Sequence, residues 1–319
     1  MILILVDLAS LKIRIAAASA AVAVAATVLG ACGSDDGGDS ATFAATTGVT
    51  ADIAESVAGP DAEVTQIVPD GASPHDFELS AQDRQALEEA DLVVANGSGL
   101  EAGIPLDDLD TPMWALTEHA GDLAPAEEVE GEEHAEEEER AEEDGADPHV
   151  WMDPTRVAAA AESLADALGE ADPAHADGYR ARARKYARGL RELDREIADT
   201  VAVVPPADRE LVTSHDSLGY FADRYGFEVA ATAFPATGAE AEASAARLRD
   251  VEQAVRDTGV PAVFGQEGDD PEALRLVADQ SGVEVEYGLV VESPGEAGSY
   301  EEMLRRDAEL IAGSLRSRR

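Results

Sequence analysis

Three of the six histidines in this chain stand where they could bind a metal together. They are His75 in Pro-Asp-Gly-Ala-Ser-Pro-His, His149 in Ala-Asp-Pro-His-Val-Trp-Met-Asp-Pro, and His215 in Leu-Val-Thr-Ser-His-Asp-Ser. Each is expected in a loop after a predicted strand or at a helix entry. Imidazole is the commonest protein ligand for zinc, and three imidazoles with one carboxylate close a tetrahedral site. Asp76, Asp147 and Asp216 lie close to the three in sequence and suit the role of carboxylates that orient imidazoles. His119 and His175 lack such a setting and read as surface or capping residues.

The elements that must position these residues alternate between strand and helix. Strands are predicted at Thr42–Thr46, Ala62–Val68 and Asp91–Asn96. Helices fall at Val49–Val57 and from a capping box at Ser80-Ala-Gln-Asp83 through Ala90. Asp153-Pro154 starts a helical region, since aspartate before a first-turn proline is a helix entry signal. After Asp172-Pro173, apolar residues Tyr179, Ala183, Tyr186, Leu190, Leu193 and Ile197 recur at steps of four and three, the stripe of one long helix ending before Pro205. The plan then repeats, with strands at Glu210–Thr213, Glu228–Ala233, Ala262–Gly265 and within Val283–Val291. The helices between and after them are Leu218–Tyr225, Ala243–Thr258, Pro271–Ser281 and Ser299–Ser314.

This pattern predicts an α/β fold: two lobes, each with a mainly parallel sheet flanked by helices, joined by one long backbone helix. The N-terminal lobe spans 42–171, the connecting helix 172–204 and the C-terminal lobe 205–319. Ligands of such sheets bind beyond the carboxyl ends of the strands. Two lobes facing each other would set His75 and His149 against His215 and Glu292, the residue after the last predicted strand.

The formal net charge of −44, from 67 acidic and 23 basic residues, excludes a nucleic-acid binder, which needs a basic face. The acid is densest at 127–147, a self-repelling run expected to be disordered. It reads either as a solvated insertion or as a loop that concentrates cations near its single His134.

Residues 1–31 carry Lys12 and Arg14 followed by a short apolar run, which reads as a secretory signal peptide rather than a span of roughly 20 residues. The run ends in Leu29-Gly30-Ala31-Cys32, similar to a bacterial lipoprotein processing site, with the only cysteine as the lipidated residue. Residues 32–41 are then a flexible tether rich in Gly, Asp and Ser. An extracytoplasmic protein, lipid-anchored to the cell membrane, is expected.

Five stretches resemble the metal-binding receptors of bacterial zinc and manganese ABC importers. They are Val68-Pro-Asp-Gly-Ala-Ser-Pro-His75-Asp-Phe-Glu-Leu, Ala90-Asp-Leu-Val-Val-Ala-Asn-Gly-Ser-Gly-Leu-Glu101, Asp147-Pro-His149-Val-Trp-Met-Asp-Pro154, Thr213-Ser-His215-Asp-Ser-Leu-Gly-Tyr-Phe221 and Gly298-Ser-Tyr300-Glu-Glu-Met303. The resemblance implies two α/β lobes on one long helix, and places the first three metal ligands at His75, His149 and His215. Histidine at the third position implies the zinc type, and imidazole suits zinc better than manganese. At the fourth position the family usually has aspartate before Ser-Leu; here the chain reads Val291-Glu292-Ser293-Pro294. Glu292 is one methylene longer, and Glu267 or a water is the alternative fourth ligand.

The expectation is therefore a monomeric receptor that captures Zn2+, in preference to Mn2+, and delivers it to the membrane permease of an ABC importer. A manganese or mixed-metal receptor, a zinc-dependent hydrolase and a surface adhesin are the competing readings. A closed site leaves no position for activated water, and no His-Glu-x-x-His helix is present, which argues against the hydrolase.

Overall fold

The computed structural model describes residues 40–125, 145–234, 245–266 and 271–316. Cys32 and its leader, His134 with most of the acidic run, and Glu267 lie outside the described residues.

The first half alternates as its sequence predicts: β1 (Ala41–Ala45), α1 (Gly48–Ala58), β2 (Ala62–Gln66), α2 (Ala81–Glu89), β3 (Leu92–Ala95), β4 (Met113–Ala115) and the single turn α3 (Leu116–His119). The strands are parallel and lie in the order β2-β1-β3-β4, with Phe43 opposite both Val64 and Leu92. All four residues of β3 are buried, as a central parallel strand covered on both faces requires. The predicted capping box starts α2: the Ser80 hydroxyl accepts from Asp83 N, and the Asp83 carboxylate accepts from Ser80 N. β4 and α3 have no counterpart in the sequence prediction. Three residues with Met113 exposed are too few to display a period.

Two helices follow. α4 (Pro154–Ala171) begins where Asp153 accepts a hydrogen bond from Thr155 N and Pro154 occupies the first turn. α5 (Ala176–Val201) is the long helix, and every residue of its predicted stripe is buried. It packs against α4, α1 and the last helix of the chain. One apolar core therefore runs from Phe43 through Tyr179, Leu190 and Leu193 to Leu315. Each such fully buried leucine stabilises by about 1.5–3 kcal/mol, and these leucines serve both halves at once.

The second half comprises β5 (Glu210–His215), α6 (Gly219–Tyr225), β6 (Glu228–Phe234), α7 (Ala245–Thr258), β7 (Ala262–Gln266), α8 (Pro271–Ser281), β8 (Glu284–Leu289) and α9 (Tyr300–Leu315). Its sheet is again parallel, in the order β6-β5-β7-β8. In each sheet the first strand lies between the next two, so chain connections diverge on either side of it. The crevice at its carboxyl end is where open α/β sheets bind ligands.

Two local expectations need correction. His215 is the last residue of β5, not a loop residue, because pairing with β6 continues to Phe234. His149 does not follow a strand. It lies between an isolated antiparallel bridge, Pro125 to Ala146, and a single 3-10 turn, Val150–Met152.

Candidate metal centre

The three histidines predicted from sequence converge. Their ring centroids are 5.6 Å apart for His75 and His149, 5.2 Å for His75 and His215, and 5.1 Å for His149 and His215. One nitrogen from each lies within 4.8 Å of the others.

His75 closes the loop after β2. Its turn, Pro74–Asp76, is fixed by Pro74 and by the Ser73 hydroxyl, which accepts from His75 N. The side chain is only 8% exposed, and Nε2 makes no hydrogen bond. Burial, helped by the neighbouring His149 and opposed by Asp147, pushes its pKa down to about 3. The ring is thus neutral at physiological pH, with an unused polar atom directed at its partners. A buried polar atom left alone is costly, and a metal ion is the group that would satisfy it.

His149 is fully buried. Asp147 Oδ1 accepts from His149 Nδ1 at 2.8 Å and from its backbone N at 2.9 Å. A carboxylate only accepts, so the proton sits on Nδ1 and the lone pair of Nε2 points inward. Asp147 is itself tied to the second half. Tyr220 in α6 donates to Asp147 O at 3.0 Å and accepts from Ala124 N at 3.0 Å. Gly219 leaves room for this contact: a Cβ there would stand 2.9 Å from Asp147 Oδ2.

His215 presents Nε2 to His149 Nε2 at 3.3 Å. A tetrahedral ion with metal–nitrogen bonds of ~2.0–2.1 Å holds two nitrogens ~3.3–3.4 Å apart, so this pair already spans a tetrahedral edge. Glu292 reaches the same place from beyond β8, with Oε1 3.9 Å from His75 Nε2. Of the two other orienting carboxylates expected, Asp76 is exposed and Asp216 is buried directly after His215.

Sequence reasoning assigned no role to the support beneath His149. Asn96 Nδ2 donates to Pro148 O at 3.0 Å. The Asn96 loop is in turn held by Glu101, which accepts from Asn96 N, Gly97 N and the Thr46 hydroxyl. Burial raises the Glu101 pKa, and these hydrogen bonds oppose the rise. The signal was present in the Ala90–Glu101 stretch, but nothing local says which atoms a buried glutamate will hold. The two remaining described histidines lie elsewhere: His119 stacks on Trp114 and His175 bonds Asp172.

Two parallel-sheet lobes on a shared helix, with a histidine cluster fed from both, define a solute receptor with a cleft suited to a divalent cation. The chain belongs to the ZnuA family, zinc-uptake complex component A, periplasmic, whose pattern matches residues 44–314. It is a substrate-binding protein of a metal ABC transporter and not an enzyme. The manganese-binding lipoprotein MntA of Halalkalibacterium halodurans is 29% identical over 301 residues, covering 92% of this chain and 96% of the relative. MntA of Bacillus subtilis is 30% identical over 313 residues, covering 93% and 98%. The structure of the periplasmic zinc-binding protein TroA from Treponema pallidum superposes with a TM-score of 0.73 at 24% identity, covering 86% of this chain and 99% of TroA. Among the described residues no helix is long and apolar enough to cross a membrane.

Proposed function

We propose that this receptor carries Zn2+, held by His75, His149, His215 and Glu292, and hands it to the permease of its importer. The observation that carries the reading is the donor set: three convergent imidazoles, two of them 3.3 Å apart at Nε2, with one carboxylate beside the third. Zinc favours nitrogen donors and four-coordination, whereas manganese favours oxygen. The ion is cargo here, so the site needs tight binding with no open coordination position. Cys32 would carry the lipid that keeps the receptor outside the cell membrane, with 1–31 removed as the signal peptide. The acidic run around His134 would raise the local concentration of cations, and the receptor would act as a monomer. The division at 42–171, 172–204 and 205–319 then makes the long helix the common base of both binding lobes.

Manganese is the second reading, and the names of the two MntA relatives favour it. The test is a competition of Zn2+ and Mn2+ against a calibrated chelator, on the soluble form starting at Gly33, for wild type and Glu292→Ala. Tight zinc and weak manganese binding, with a clear loss in the variant, supports the proposal. Zinc binding unchanged in Glu292→Ala moves the fourth ligand to Glu267 or water. Preferred manganese binding overturns the zinc assignment.

A further inference from the structure

Glu292 sits beyond a strand of the second sheet, yet the residues on either side of it are fastened to the first half. Trp151, two residues past His149, donates its indole N–H to Val291 O at 2.8 Å. The same indole packs edge-on against the His149 ring, with centroids 5.2 Å apart. Trp151 is 1% exposed, so the indole is enclosed by packing, and its backbone carbonyl accepts from the Tyr300 hydroxyl. On the outer side, the Ser293 hydroxyl donates to Asp70, in the loop that leads to His75. Asp70 is held in turn by Gln66 Nε2 at 3.0 Å, and hydrogen bonds from Gln66 and Ser293 keep its carboxyl below the usual range. Ser293 also lies hard against α1: a Cβ on Gly48 would collide with its hydroxyl. From the loop's own half, Val290 N donates to Asp307 Oδ1 at 2.9 Å, and Leu289 just before it pairs with Gln266 of β7.

Building on the four-ligand reading, we propose that Trp151 and Asp70 are positioning residues for Glu292: they fasten its loop onto the half that carries His75 and His149. Glu292 then belongs mechanically to the His75–His149 side of the cleft, and His215 is the one ligand presented from the body of the opposite lobe. The buried indole bond fixes the height of the Val291 carbonyl, and the exposed Asp70–Ser293 bond stops the loop from swinging outward. A glutamate has one more rotatable bond than an aspartate, so it has more conformational freedom to lose on reaching the metal. A loop clamped on both sides lowers that cost, which is why a longer carboxylate is workable at this position.

The test is a double-mutant cycle read by Zn2+ competition titration, with Trp151→Phe and Ser293→Ala each made in wild type and in Glu292→Ala. Phenylalanine keeps an aromatic ring beside His149 and removes the donor together with part of the buried indole's volume, so the comparison between the two backgrounds is what isolates the effect on Glu292. Each single variant is expected to weaken Zn2+ binding about tenfold in wild type, the low end for residues that support a ligand, and to change nothing once Glu292 is gone. Equal losses in both backgrounds would overturn the proposal, because the residues would then act through His149 or the fold. No loss in wild type would overturn it as well. Glu292→Ala without any loss would sink the four-ligand reading itself, a result separate from the behaviour of the other two variants. Melting curves in excess chelator identify any variant that fails to fold. If Trp151→Phe is one, Ser293→Ala, at a part-exposed position, decides alone.

Discussion

Asp147 gives the sharpest test of how this site is organised. It never needs to touch the ion, yet its Oδ1 accepts from both the Nδ1 and the backbone N of His149. Replacing it with asparagine keeps an acceptor of nearly the same shape and removes the charge. Replacing it with alanine removes both bonds and frees the ring to adopt the other tautomer. Partners of this kind contribute roughly 10–100-fold to metal affinity. The asparagine variant should therefore lose about tenfold, or ~1.4 kcal/mol, and the alanine variant about a hundredfold, or ~2.7 kcal/mol. The assay is Zn2+ competition against a calibrated chelator at pH 7.5, with the melting temperature of the metal-free protein as control. The graded loss should appear in affinity at nearly constant melting temperature for the asparagine variant. Wild-type affinity in Asp147→Ala would refute the reasoning, because the His149 tautomer would then be fixed without the carboxylate.

Other expectations follow from the same geometry. The folded-state pKa of His75, about 3, lies below its unfolded value, so the unfolded chain binds more protons between pH ~6.5 and ~3. Metal-free stability should accordingly fall as pH drops through that window, and His75→Gln should flatten the urea-midpoint profile; a profile as steep as wild type would contradict this. Gly219→Ala brings a methyl to 2.9 Å from Asp147 Oδ2 and should weaken Zn2+ binding several-fold, although alanine favours the helix that begins there; tighter binding in the titration would count against the contact. Glu101→Gln exchanges an acceptor of three hydrogen bonds for an amide with one acceptor atom. It should cost about 1–3 kcal/mol in a denaturant titration, and an unchanged midpoint would show that the Asn96 loop holds itself.

Much of this protein is written locally. The capping box at Ser80 and Asp83, the Asp153-Pro154 entry of α4 and the apolar stripe of α5 act over three to seven residues, a range in which backbone geometry alone decides which atoms meet. The convergence of His75, His149 and His215 was suggested by strand ends and helix entries, which meet at one crevice in an α/β chain, but it was the resemblance of their flanking stretches to a receptor family that singled them out. Where the local signal was thin, the reading slipped: β4 was too short to show a period, and β5 ran on to His215 because its neighbour β6 did.

What sequence alone could not supply were the contacts made across long separations. Tyr220 reaches Asp147, Trp151 reaches Val291, and Ser293 reaches Asp70 because two lobes share one core around α5. Each pair is chemically ordinary, and any serine in the chain is an equally good partner for Asp70 on paper. Sequence determined which side chains could bind a metal and which elements would carry them. Tertiary packing decided how closely the imidazoles of His149 and His215 meet and which residues of the first half bond the chain on either side of Glu292, because the distance between residues far apart in the chain is set only when the core closes.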